Sequence, residues 1–243
     1  MMKSLFKAIR NEDLEAVKAM IGKNPAAVRE VAVPPPQKDA GQSPLQVAVK
    51  TGAFEIAYYL MEQGADVNFM EEETETARLC CPLLQDAVRT ALVSLCYQRF
   101  EEAEQGAKLV QALCERGADP NKRASNGFDA VNLCVSDAEM ILERREAYPD
   151  VQEAAERQLM RILDILLAHG ADFPGWAKRE HFPGPGVGET NRARYLDDFV
   201  PSGDRVQELT IRGRKSTTVI KGDVDQTAHT RAVMQRYCRE RNL

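Results

Sequence analysis

A three-residue segment, Gly-Ala-Asp, occurs three times in this chain of 243 residues, and each copy follows the same kind of helical pattern. The copies begin at Gly64, Gly117 and Gly170, so both intervals are 53 residues long. Counted back from each glycine, four positions are apolar and fall on one face of a helix. They are Ile56, Ala57, Leu60 and Met61, then Leu109, Val110, Leu113 and Cys114, then Ile162, Leu163, Leu166 and Leu167. The glycine supplies the left-handed residue that ends such a helix, so the pattern predicts a repeated helical unit.

A second motif comes before the first of these helices. Ser43-Pro44-Leu45-Gln46 places a capping hydroxyl and a proline at a helix start. It resembles the Thr-Pro-Leu-His start of ankyrin repeats, and the spacing from Ser43 to Gly64 is similar to that family without a gap. Weaker starts occur at Cys81-Pro82 and at Gly127-Phe128-Asp129, and residues 5–21 resemble a capping repeat. The resemblance implies an all-α, ankyrin-type helical solenoid of about four repeats.

The interval of 53 residues is longer than the family period of about 33. Residues 92–105 and 137–156 account for much of the excess and are helical in composition. We therefore predict two elongated helix pairs within a repeat domain at residues 1–174. Residues 175–243 do not continue the repeat and form a separate C-terminal extension in this interpretation.

Stacked helix pairs share a core and leave an open face of inner helices and loops, here called fingers. The resemblance implies that this face binds another protein, as an adaptor or an inhibitor. A bacterial immunity-type protein is one form of that role, and a host-directed effector scaffold is the alternative. The family pattern and the lack of a catalytic sequence motif predict no enzymatic activity, no catalytic residues, no metal site and no cofactor.

Family geometry selects a set of residues for the partner-binding face, on the inner helices and on three fingers. The set is Lys38, Asp39, Gln42, Gln46, Lys50, Thr51, Glu71, Glu72, Glu73, Glu75, Gln85, Arg89, Arg123 and Asn126. The inner-helix members of the set are expected to be exposed. The four glutamates between 71 and 75 repel one another, which predicts a solvated loop. The alternative is that they attract a basic partner surface.

The C-terminal extension is less constrained by pattern. Residues 206–211 and 217–220 alternate around a basic tip, which predicts a short β-hairpin, and residues 225–241 predict a final helix. The extension carries a net charge of +4, against −9 for the remaining residues. One interpretation is that it covers the exposed last repeat. The other is that Arg212, Arg214 and Lys215 bind a phosphate-bearing partner, which would make the chain a phosphate-ligand binder or an enzyme with its site there.

Composition limits the classes of partner and the cellular compartment that the sequence predicts. The net charge of −5 argues against nucleic acid as a partner, and no apolar run is long enough to span a membrane. The six cysteines match neither a zinc nor a redox spacing and predict buried, reduced thiols. These features predict a cytoplasmic protein that is monomeric in the absence of its partner.

Overall fold

The computed structural model describes residues 2–34, 37–75, 79–144, 148–181, 189–201, 205–211, 214–220 and 224–243. The chain divides into two compact units, Met1–Trp176 and Ala177–Leu243. The first unit contains four consecutive helix–turn–helix pairs, and the second combines short helices with a strand pair.

The four pairs of the first unit differ in length. Their helices are α1 (Met2–Arg10) with α2 (Leu14–Lys23), α3 (Pro44–Thr51) with α4 (Phe54–Glu62), α5 (Leu83–Cys96) with α6 (Phe100–Glu115), and α7 (Ala130–Leu142) with α8 (Pro149–Ala168). The inner helices α1, α3, α5 and α7 pack in series, and so do the outer helices α2, α4, α6 and α8. The predicted helical solenoid with two elongated final pairs is confirmed.

Local sequence explains where the helices begin and end. The Ser43 hydroxyl accepts a hydrogen bond from the Gln46 amide, and the Asp129 carboxylate does the same for the Asn132 amide. Gly52 forms the tight turn between α3 and α4 in the left-handed conformation, with φ of 73°. The glycines of the three Gly-Ala-Asp segments also have positive φ, which ends the outer helices α4, α6 and α8.

The Gly-Ala-Asp segments are joined to one another by asparagine side chains. Asn68 Nδ2 donates to the Gly117 carbonyl at 2.8 Å, and Asn68 Oδ1 accepts from the Asp119 amide at 2.8 Å. Asn121 makes the same two bonds, at the same distances, to the Gly170 carbonyl and the Asp172 amide. This asparagine ladder fixes the register of pairs two, three and four.

The elongated part of pair three is held by close helix packing. A Cβ on Gly106 of α6 would lie only 2.8 Å from the Cα of Ala91 in α5, so the two helices approach as closely as a glycine permits. Gln158 of α8 is buried against them and donates to the Ala103 carbonyl at 2.7 Å and the Ala91 carbonyl at 3.2 Å. The added helical length is thus part of the packed core.

Helix α9 (Phe173–Lys178) follows pair four and crosses the boundary between the units. The second unit then has α10 (Asn191–Tyr195), the strands β1 (Arg205–Ile211) and β2 (Arg214–Ile220), and α11 (Ala228–Arg241). The strands pair antiparallel, with Arg205 opposite Ile220 and Ile211 opposite Arg214.

Helix α11 is fixed to α10 through Arg231, whose guanidinium donates to the Ala193 carbonyl and the Asp225 carboxylate, both at 2.9 Å. Val233, Met234 and Tyr237 of α11 are buried. Of the candidate basic site, Arg214 and Lys215 lie in β2 instead of the expected turn, and Arg212 lies outside the described residues.

Candidate partner-binding surface

Two glutamines that were expected to be exposed on the inner helices are buried instead. Gln46 is fully buried, and its Nε2 donates to the Asp86 carboxylate at 2.6 Å and to the Cys81 carbonyl at 3.3 Å. Gln85 is also buried, and its Nε2 donates to the Phe128 carbonyl at 2.7 Å. Each glutamine connects its own helix to the chain that enters the next repeat. The predicted exposure was wrong at both positions because that neighbouring chain covers them.

The remaining inner-helix candidates are accessible. Lys50 Nζ lies 3.0 Å from both carboxylate oxygens of Glu71 and 3.8 Å from Asp86 Oδ2. Arg89 Nε lies 3.2 Å from Asp137 Oδ2. Thr51 is exposed, and its hydroxyl donates to the Val47 carbonyl within the same helix. The two cations are therefore on the open face but already paired with carboxylates below them.

The second finger is partly buried at its base. Glu71 is only 6% exposed, and its carboxylate accepts a hydrogen bond from Gln42 Nε2 at 2.9 Å and pairs with Lys50. The expectation that all four glutamates are solvated was wrong for Glu71. Glu72, Glu73 and Glu75 are exposed, as that expectation requires. The Glu72 amide also donates to the Gly41 carbonyl, so the backbone of this finger is fixed to the first.

The first finger contributes fewer accessible groups than expected. Lys38 is exposed, but Asp39 and Gln42 are buried. Asp39 forms an ion pair with Arg10 at the end of α1, and Gln42 binds Glu71. Both polar side chains join neighbouring repeats, which removes them from the surface.

The third finger keeps its predicted accessibility. Arg123 and Asn126 are exposed, and Asn126 Oδ1 accepts from the Phe128 amide within the finger. The backbone of this finger is joined to the second: the Ser125 amide donates to the Cys80 carbonyl, and the Cys80 amide donates to the Ser125 hydroxyl, both at 3.0 Å. All three fingers are thus connected by backbone hydrogen bonds.

The buried carboxylates beneath the inner helices have perturbed acidities. Burial raises the pKa of Asp86 to about 6, although the nearby Lys50 ammonium and the Gln46 hydrogen bond act in the opposite direction. Burial likewise raises the pKa of Asp137, against the pull of Arg89. The ammonium and guanidinium groups thus offset only part of the cost of burying these acids.

The sequence reasoning missed a pattern that runs along the inner helices. At each junction a cation near the surface pairs with a buried carboxylate of the next repeat. The pairs are Arg10 with Asp39, Lys50 with Glu71 and Asp86, and Arg89 with Asp137. An acid inside an otherwise apolar helical run, as at Asp86 and Asp137, is the signal that points to a buried partner.

The described residues include neither a candidate metal-binding cluster nor a candidate membrane-spanning helix. Within the described ranges, no group of three or more His, Cys, Asp or Glu side chains is placed to hold a metal ion. No described helix is both long enough and apolar enough to cross a bilayer.

Comparison with known proteins agrees with the repeat geometry. Residues 2–71 match the family model for ankyrin repeats (three copies), a region that includes α1 to α4 and the start of the second finger. No curated protein matches the chain significantly. The asparagine ladder and the paired helices continue the same architecture through pairs three and four. Residues 2–71 of this chain therefore form ankyrin repeats.

Proposed function

We propose that this chain binds one specific protein partner through its three fingers and the accessible cations of its inner helices. Ankyrin repeats are generally modules for protein–protein interaction, and they are typically non-enzymatic. The observation that supports this surface is the connection of the fingers by backbone and buried side-chain hydrogen bonds. A surface that is already ordered loses little conformational entropy on binding.

The exposed carboxylates favour a basic partner surface. Glu72, Glu73 and Glu75 protrude from a finger whose base is held by Glu71, Lys50 and Gln42. Exposed charges of one sign accelerate association more than they increase affinity, and salt weakens that effect. We therefore assign these three glutamates to the capture of a cationic patch.

Cross-linking the full-length chain in lysate of its source, followed by mass spectrometry, would identify the partner. Binding of the purified partner is then measured against the Glu72→Lys/Glu73→Lys variant at low and high salt. We expect the association rate to fall about tenfold at low salt and less at high salt. Glu71 is left unchanged because its substitution would disturb the fold.

The Glu62→Lys/Glu115→Lys variant is the matched control, because it changes the net charge equally at exposed sites on the outer helices α4 and α6. Equal loss of binding in both variants would show a general charge effect and would contradict the assignment to the finger. Unchanged binding in the finger variant would contradict it as well.

The specific role that we propose is that of a cytoplasmic adaptor or inhibitor that is monomeric alone. An inhibitor, such as an immunity-type protein, would abolish the activity of its purified partner at a stoichiometric ratio. A host-directed effector scaffold would instead bind a protein of another organism. Adding the chain to the isolated partner and measuring that partner's activity separates inhibition from recruitment.

We also keep the proposal that residues 175–243 cover the last helix pair. A truncated chain ending at Trp176, which keeps the first unit intact, should then melt at a lower temperature or aggregate. A truncated chain that is equally stable would remove this role and leave a separate binding role for the extension.

A further inference from the structure

Large apolar side chains are exposed at the turns of the two elongated pairs. Tyr97 is 68% exposed and Phe100 41% exposed at the turn between α5 and α6. Met140 near the end of α7 and Tyr148 just before α8 are 53% and 62% exposed. Aromatic residues and methionine are enriched at the centres of protein interfaces, whereas solvent-exposed turns are usually polar. These turns lie at the opposite end of the helices from the fingers.

The difference in helix length creates a step between pairs two and three. Helix α5 has 14 residues and α3 has eight, so α5 extends about 9 Å further at 1.5 Å per residue. The first turn of α6 lies beside the shorter pair, because a Cβ at Gly52 would be 3.7 Å from the carboxylate of Glu102. Tyr97, Phe100 and Glu101, which come just before Glu102 at this end of the longer pair, are exposed.

A groove of about 590 Å³ occupies this step. Phe54 of α4 and Phe100 of α6 supply its aromatic lining, and Gln98, Arg99, Glu101 and Glu102 supply polar groups. Its volume lies in the range of natural binding pockets, about 300–1,000 Å³. The partial exposure of Phe100 and the neighbouring Tyr97 leaves the groove open along the surface, which suits a polypeptide segment better than an enclosed small molecule.

The charges around the groove favour a basic occupant. Arg99 is engaged by Glu102 at 3.3 Å and lies 5.5 Å from the centre of the Tyr97 ring. Glu101 is exposed in the first turn of α6, where it also complements the helix dipole. Arg99 and Glu102 thus compensate each other, which leaves the exposed carboxylate of Glu101 as the remaining charge of the lining.

We propose that this groove, defined by Phe54, Phe100 and Glu101, binds a short segment of a partner protein. The segment places one large apolar side chain against the two phenylalanine rings and a lysine or arginine beside Glu101. This surface is separate from the fingers, so the chain can hold two polypeptides at once. That property distinguishes an adaptor from an inhibitor that only blocks its partner.

Selection from a displayed library of random 12-residue peptides on the full-length chain tests the proposal without knowledge of the partner. The enriched peptides are synthesised with a fluorophore, and their affinities are measured by anisotropy. We expect enriched sequences with an aromatic residue or leucine close to lysine or arginine. The Phe100→Ser variant should lose at least about tenfold in affinity, as for a central aromatic contact. Glu101→Lys should weaken the same peptides about threefold, and more at low salt.

Three controls make the result specific. Leu79→Ser removes an exposed apolar side chain in a finger and should leave the affinity unchanged. The Glu72→Lys/Glu73→Lys variant should also leave it unchanged, so that this proposal and the finger proposal fail independently. Circular dichroism and melting temperature establish that each variant is folded, and Glu101→Lys tests the groove with Phe54 and Phe100 intact. The absence of any enriched sequence, or peptides that bind equally to the groove variants, would overturn the proposal.

Discussion

The two ends of the helix pairs differ in how regularly they repeat. At the finger end, Asn68 and Asn121 make the same two hydrogen bonds to the segment one repeat further on, with all four distances at 2.8 Å. At the turn end, the inner helices have eight residues in α3, 14 in α5 and 13 in α7. The finger end is therefore regular, and the turn end varies from pair to pair.

This difference shows what a stacked repeat must preserve. Hydrogen bonds between backbone groups and asparagine side chains allow little variation in length, since a shifted register would break all four of them. At the turns, extra residues can extend both helices of a pair without disturbing these bonds. Elongation thus adds new surface, including the groove beside Phe100, while the stack below stays the same.

The ion pairs of Lys50 and Arg89, which join neighbouring repeats beneath the fingers, differ in burial. Replacing these cations gives the largest expected change in the free energy of unfolding. Lys50 forms ion pairs with two buried carboxylates, and its side chain is 30% exposed. Arg89 forms an ion pair with one buried carboxylate, and its side chain is 47% exposed. Lys50→Met should cost about 3 kcal/mol, because Glu71 and Asp86 lose their cation. Arg89→Met should cost about 1 kcal/mol, nearer to the value for an exposed pair. Urea unfolding at pH 7 measures both, and equal costs would show that burial does not distinguish the two junctions.

Substitution of Gly106 in elongated pair three and of Gly22 in the short first pair tests how tightly each pair is packed. Gly106→Ala would place a methyl group against the backbone of Ala91, and we expect a cost of about 2 kcal/mol from the separation of α5 and α6. Gly22→Ala in α2 meets no atom within 4 Å and should stabilise the chain by about 0.5–1 kcal/mol through helix propensity. Thermal melting of the two variants should therefore shift in opposite directions. A stable Gly106→Ala variant would mean that the elongated pair is loosely packed.

The sequence predicted the regular end of the repeats better than the surface above them. The glycines that end the helices and the four apolar positions on one helix face locate α4, α6 and α8. Both signals depend only on residues within the helix itself and at its end. The burial of Gln46, Gln85, Asp39 and Glu71 could not be predicted in this way. Whether such a side chain is covered depends on how the next finger lies, and that follows from contacts between residues about 30 to 40 positions apart.

The groove at the turns was missed for a related reason. Residues 92–105 are helical in composition, and this correctly predicted that pair three is elongated. A groove appears only when that length is compared with the neighbouring pair, which brings Phe54 beside Phe100. Neither residue shows a distinctive pattern in its own segment.

The acidity of Asp86 predicts a pH dependence that originates at the second junction. The pKa is about 6 in the folded chain and 3.8 for an unperturbed aspartate, so the folded state binds this proton more tightly. The resulting stabilisation is fully present below about pH 4 and is lost as the pH rises through 6. Over that interval we expect a loss on the order of 1–2 kcal/mol, with Lys50, Glu71 and Arg89 as the surrounding charges.

Asp86→Asn should remove this contribution and flatten the plot of stability against pH between 4 and 7. Glu72→Gln is the control, because it neutralises an exposed carboxylate of the adjacent finger and should leave the slope as in the unmodified chain. An unchanged slope in Asp86→Asn would show that this carboxylate does not titrate in the interval.

The asparagine ladder gives the smallest expected effect and the most direct test of regularity. Asn68→Ala and Asn121→Ala each remove one donor and one acceptor from solvent-exposed bonds, so each should cost about 0.5–1 kcal/mol. The two costs should be equal within about 0.5 kcal/mol, and the double variant should be additive, because the two asparagine side chains bond to different residues. Urea unfolding of the two single variants and the double variant measures this. Unequal costs would mean that the neighbouring pairs, which differ in length on either side of the ladder, affect the finger end as well. The separation of a constant end from a variable end would then fail, and elongation of a pair would have to be treated as a change to the whole repeat.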